Sequence, residues 1–200
     1  MAATAYPVHL DIDYEAGARD RLTVLFRPFM TIPVLVLLTA LSSSNNVGAS
    51  SGGVLFLATL LMLVFRHKYP RWWFDWNLNI LRFANRVFAY LVLLRDEYPS
   101  TDEVQHVHVT LPDPQGGAAL NQWLPLVKWL LALPHYIVLA VLWIAVVVVT
   151  VVSWFVILFT GRHPRSLHAF VVGVFRWSLR VEAYALALVT DSYPPFRLTE

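Results

Sequence analysis

The chain has 200 residues, 58% of them hydrophobic and only 14% charged, with a net charge of +2 and a mean hydropathy of +0.57. That is too apolar for an ordinary soluble domain. The basic residues are scattered and form no nucleic-acid-like block, so no nucleic-acid partner is expected. Cysteine is absent, which excludes disulfides, thiolate metal ligands and cysteine nucleophiles.

The opening stretch, MAATAYPVHLDIDYEAGARDR, has neither a basic start nor a short apolar core with a small-residue cleavage site. It is not expected to be a signal peptide, so insertion would rely on internal apolar segments. Between Tyr6 and Tyr14, Val8, Leu10 and Ile12 alternate with His9, Asp11 and Asp13, which is strand patterning. Leu22 to Leu41 is nearly all apolar and long enough to cross a hydrocarbon core of ~30 Å, with Pro28 and Pro33 as kink points. Ser42 to Gly53 reads as an uncharged loop. Val54 to Phe65 is a shorter apolar segment halted by Arg66-His67-Lys68. Residues 22–65 therefore read as an apolar hairpin.

Arg71 to Leu94 is different. Arg71, Asp75, Asn79, Arg82, Arg86 and Tyr90 step by three or four and share one helical face. Such a helix is expected to lie in the membrane interface with its polar side toward water or protein. In the Asp-, Pro- and Gly-rich join that follows, Val104, His106, His108 and Thr110 alternate with Gln105, Val107, Val109 and Leu111, predicting a second strand. Trp123 to Phe159 is apolar apart from Lys128 and His135. At about 37 residues it reads as a second hairpin, 123–160, of two passes of roughly 27 Å each, or as a re-entrant segment. A second amphipathic helix over 165–189 carries Arg165, Arg176, Arg180 and Tyr184.

The two halves correspond. Shifted by about 94 positions, Pro70-Arg71, Arg82, Arg86 and Tyr90 fall on Pro164-Arg165, Arg176, Arg180 and Tyr184, and Asp96-Glu97-Tyr98-Pro99 on Asp191-Ser192-Tyr193-Pro194. Val8-His9-Leu10 matches Val107-His108-Val109, and Arg27 and Pro33 match Lys128 and Pro134. The expected architecture is an all-α integral membrane protein of two tandem repeats, 1–103 and 104–200. Each repeat is an apolar helical hairpin plus an amphipathic interfacial helix. The N-terminal and inter-repeat segments add a small cytoplasmic β-sheet. No residue ionised at neutral pH lies between Pro28 and Phe65 or between Trp129 and Gly161, so every charge can stay on one side. The positive-inside rule places both termini in the cytoplasm of a multi-pass protein. The alternative is six crossings in inverted repeats. It buries Arg82, Arg86, Arg176 and Arg180 at about 2.5–3.5 kcal/mol each unless paired, which favours the hairpin reading.

The stretches FTGRHPR, VVGVFRWSLRVEAY and TDSYPPF resemble the signature of an uncharacterised bacterial membrane family, domain of unknown function 4389 (DUF4389). The resemblance is strong over 121–200 and looser over 6–100, where Trp76, Asn77 and Asn79 occupy a region that is apolar and glycine-bearing in the second copy. It implies a membrane location, here the bacterial inner membrane, and no mechanism.

Three sets of residues are candidates for function. Arg82, Arg86, Arg176 and Arg180 suit lipid phosphates or an acidic partner surface; the alternative is internal pairing with Asp75, Glu182, Asp96 or Asp191 and snorkelling at the interface. His9, His106 and His108, with Asp11 or Asp13, are candidate ligands for zinc, copper or iron if the strands pair; otherwise they are exposed positions of an amphipathic sheet. His135 is an ionisable group in an apolar run, hence a functional flag, but its counterpart is Val34, and a neutral hydrogen-bonded histidine is the better expectation. No P-loop, dinucleotide-binding, zinc-protease or nucleophile-elbow motif occurs. The leading expectation is a non-catalytic accessory or scaffold subunit with lipids and other membrane subunits as partners and no cofactor. A lipid-binding or transport protein is the alternative, and a metal-binding membrane protein or enzyme the third.

Overall fold

The computed structural model describes residues 6–42 and 54–199; most of the predicted polar loop, residues 43–53, lies outside the described residues. In chain order the elements are β1 (His9–Ile12), α1 (Arg21–Ser42), α2 (Val54–Arg66), α3 (Arg71–Leu91), β2 (Val107–Thr110), a 3-10 turn (Gln115–Gly117), α4 (Pro125–Leu131), α5 (Leu133–Thr160) and α6 (Arg165–Ala185). The protein is mostly helical with one small antiparallel ribbon.

The ribbon follows from the alternation in its strands. Leu10 faces Val109, Asp11 faces His108 and Ile12 faces Val107. Val8, Leu10, Ile12, Val107 and Val109 are buried on the inner side, leaving His9, Asp11, His108 and Thr110 outside. An isolated two-stranded ribbon is marginal in water. This one is supported from below, β1 lying on α6 and β2 on α3. Both helices start directly after a proline, Pro70 and Pro164, whose fixed φ suits the entry to a helix.

Beneath α3 and α6 lie α1, packed on α3 and α5, and α5, packed on α6. Trp143 of α5 joins the two sides, with its ring 6.3 Å from Phe88 of α3 and 5.3 Å from Phe175 of α6. The layers are therefore ribbon, then α3 and α6, then α1 and α5. On the last layer Ile137, Val141, Ile144, Val148, Val151 and Phe155 of α5 are at least half exposed and recur every three or four residues. Leu22, Phe26, Phe29, Ile32 and Val36 do the same on α1. Both helices are long and apolar enough to cross a membrane.

The second predicted hairpin, 123–160, is corrected. Leu133–Thr160 is a single 28-residue helix. From Tyr136 to Thr160 there is no Gly, Pro, Asn or Asp to reverse the chain, and Pro134 sits in the first turn, where its missing N–H costs nothing. Helix α4 runs almost into α5: Ala132 keeps right-handed dihedrals, its N–H reaches Lys128 O at 3.0 Å, and its carbonyl accepts from Tyr136. The turn comes only at Gly161, left-handed at φ 71°. In the first half, α1 finds α3 and α5 while α2 lies against α4, so the two arms of the predicted 22–65 hairpin pack chiefly on other partners.

Candidate functional site

Two basic side chains of the apolar segments are fully enclosed. Arg27, only 1% exposed, lies over the Tyr90 ring at 4.5 Å and donates to the carbonyls of Tyr90 and Arg95 at 3.1 and 3.0 Å. It also pairs with Asp96, which it shares with the buried Arg19. Lys128, with no exposed surface, donates to Thr190 O at 2.8 Å, lies 2.6 Å from Asp191 Oδ1 and sits 5.3 Å from the Tyr184 ring centre. The second oxygen of Asp191 accepts the Asn121 N–H at 2.6 Å. These environments match in detail. Tyr90 stands 5.6 Å from Tyr98, and Tyr184 5.7 Å from Tyr193; Leu93 and Leu188 both have positive φ, at 66° and 56°.

Sequence reasoning missed these pairs, although the correspondences of Arg27 with Lys128 and of Asp96 with Asp191 were the signal for them. The alternative for the striped arginines named Asp75, Glu182, Asp96 and Asp191 as internal partners. For three of these the partner differs: Asp75 pairs with Arg71, Asp96 with Arg19 and Arg27, and Asp191 with Lys128, while Arg176 takes Asp11.

The striped arginines hold the ribbon. A two-stranded ribbon has two free edges with outward carbonyls. Arg82 Nε donates to Val109 O at 3.3 Å on one edge, and Arg176 Nε to Leu10 O at 2.8 Å on the other. Arg176 also reaches Asp11 at 2.6 Å. Farther along the helices Arg86 donates to Ser100 O at 2.8 Å, and Arg180 to the carbonyls of Arg197 and Thr199 at 3.3 and 2.9 Å. Arg82 and Arg86 border a cavity of about 380 Å³ with Asn79, Gln105, His108 and Thr110. Burial lowers the Arg86 pKa, with the neighbouring Arg82 charge acting in the same direction and Glu97 opposing.

The strand histidines are brought to the outer face. His106 Nδ1 donates to Asp13 at 2.9 Å and His108 Nε2 lies 3.6 Å from the same oxygen; the His106 bond is the main cause holding the Asp13 carboxyl below its usual range. His9 stands opposite Thr110. Among the described residues no group of three or more His, Asp or Glu is placed to hold a metal ion. Buried His135 accepts from Trp177 Nε1 at 3.0 Å and stacks on Phe196 at 3.9 Å. With Nδ1 as acceptor its proton sits on Nε2, so the ring is the neutral tautomer.

Residues 125–197 match the model of the family described as domain of unknown function (DUF4389), a match that takes in the FTGRHPR, VVGVFRWSLRVEAY and TDSYPPF stretches. No curated protein and no solved structure matches the chain.

Proposed function

We propose that the protein is an integral membrane protein of two tandem copies that acts by association, as an accessory or scaffold subunit of a larger membrane complex. The observation that carries the placement is the layering: a ribbon bearing Asp11, Asp13, His106 and His108 on one side, and the apolar stripes of α1 and α5 on the other. If α3 and α6 crossed the bilayer, the ribbon they carry would sit at membrane depth with its carboxylates, at a cost of several kcal/mol. With the ribbon at the water boundary, α3 and α6 lie at the interface and α1 and α5 meet hydrocarbon. The duplication is supported by the matching Arg27–Asp96 and Lys128–Asp191 environments and by the arginine on each ribbon edge. The facing pair Leu10 and Val109 lies at the centre of that relation, which gives both copies the same orientation. The small excess of basic residues favours ribbon and termini on the cytoplasmic face, in the proposed setting of a bacterial inner membrane.

Association is favoured over chemistry because these cations and carboxylates are engaged in joining elements to one another. Arg27, Arg19 and Lys128 fasten helix ends, Arg82 and Arg176 fasten the ribbon, and Asp13 engages His106. The test is gentle extraction from native membranes with cross-linking. A reproducible, stoichiometric membrane partner is expected; recovery of the protein alone in every preparation contradicts the scaffold role.

A further inference from the structure

The two arginine sites differ in what fills them. Beside Arg176 the chain supplies its own anion, Asp11, at 2.6 Å. Its C-terminal tail closes the rest: Arg180 holds the carbonyls of Arg197 and Thr199, and Leu198 lies so close to Gly173 that a Cβ there would come within 2.9 Å. At the corresponding places beside Arg82 stand Thr110 for Asp11 and Asn79 for Gly173. Among the described residues no carboxylate approaches Arg82 or Arg86 within ion-pair distance, and the space is the open cavity of about 380 Å³.

The rest of that cavity's lining narrows the occupant. Its lining also includes the exposed Asp102, whose carboxylate accepts the Ser100 hydroxyl at 2.8 Å, and Glu103, so the site offers two positive and two negative side chains. That arrangement suits a group with an oxyanion at one end and an amine at the other, not a plain anion. Thr101 and Glu103 also line a second cavity of about 510 Å³, bounded by Phe83, Tyr98 and by Pro33, Val34 and Leu37 of α1. A largely apolar groove on α1 therefore lies next to the polar seat, with Thr101 and Glu103 between them.

We propose that this pair of cavities binds a phospholipid with an amine-bearing, zwitterionic head group. The phosphate sits on Arg82 and Arg86, the ammonium faces Asp102 and Glu103, and an acyl chain leaves along α1. The assignment of the two unequal sites rests on the duplication proposed above. The membrane placement is read by labelling and stands or falls separately.

The test is native mass spectrometry of the full-length protein from detergent after incubation with phosphatidylethanolamine or phosphatidylglycerol, and separately with O-phosphoethanolamine or inorganic phosphate. Phosphatidylethanolamine is expected to be retained about tenfold more than phosphatidylglycerol, the size of effect one charge-assisted contact gives. The exposed double substitution Asp102→Asn with Glu103→Gln should remove that preference. Asn79→Leu, which removes a polar group from the seat and narrows it without altering an arginine, should weaken retention several-fold. Arg82→Gln should do the same, and because Arg82 also caps a ribbon edge, Asn79→Leu decides if that variant fails to fold. Equal retention of the two lipids, or retention unchanged by Asn79→Leu, overturns the proposal. Binding of O-phosphoethanolamine or phosphate without any retained lipid also overturns it, by assigning the seat to a soluble ligand.

Discussion

At the scale of single residues, the least expected feature is a lysine and two arginines enclosed among apolar helices. Lys128 has no exposed side-chain surface, while Asp191 retains about a quarter of its own. Removing one partner of such a pair leaves a buried charge unanswered. Asp191→Asn should therefore cost about 3 kcal/mol, the low end for a buried pair because Asp191 is partly solvated. Denaturant titration in detergent, followed by tryptophan fluorescence, measures this; adding Lys128→Met to Asp191→Leu should recover most of the loss. A second expectation concerns acid. Burial pulls His168 down to about 4, with His163, Arg19 and Arg95 acting in the same direction, and burial lowers His163 as well. Both rings are neutral when folded, so protonation favours the unfolded chain. The contribution of His168 is complete above the unfolded value near 6.5 and is lost as the pH falls from there toward 4, and that of His163 is lost in the same direction. Thermal midpoints taken across that window should decline less for His168→Phe than for the parent chain. A parallel decline in both would remove His168 as a cause.

At the scale of elements, the sharp turn after α5 is the place where one atom matters. Gly161 is left-handed, and a Cβ there meets nothing closer than the Arg21 side chain at 3.7 Å. Gly161→Ala should cost about 1 kcal/mol through backbone conformation alone, visible as a lowered thermal midpoint, whereas the same change at the open Gly17 should cost less. The strands were legible because Val8, Leu10 and Ile12 alternate with polar residues. Helices α3 and α6 were legible from their arginine stripes and the prolines before them. Helix α5 was not, since a run of about 37 apolar residues looks alike as two short passes or as one long helix. The deciding signal was the lack of any turn residue between Tyr136 and Thr160. The charge pairs were half legible. Repeated positions marked Arg27, Lys128, Asp96 and Asp191, but partners separated by more than sixty residues meet only through the packing of α1 and α4 on the ends of α3 and α6.

At the scale of the whole molecule, the layered order turns an unusual composition into one orientation. In the proposed membrane placement the ribbon and its charged outer face form the water side, the stripes on α1 and α5 form the lipid side, and α3 and α6 mark the boundary. Both ends of α3 must then meet the same aqueous compartment. The chain has no cysteine, so single-cysteine variants report cleanly. Lys68→Cys and Thr101→Cys place exposed labels before and after α3. Treating right-side-out and inside-out vesicles with a membrane-impermeant maleimide measures which face each label meets. Interfacial placement predicts that both react only from the cytoplasmic face; reaction from opposite faces would make α3 a span and contradict it.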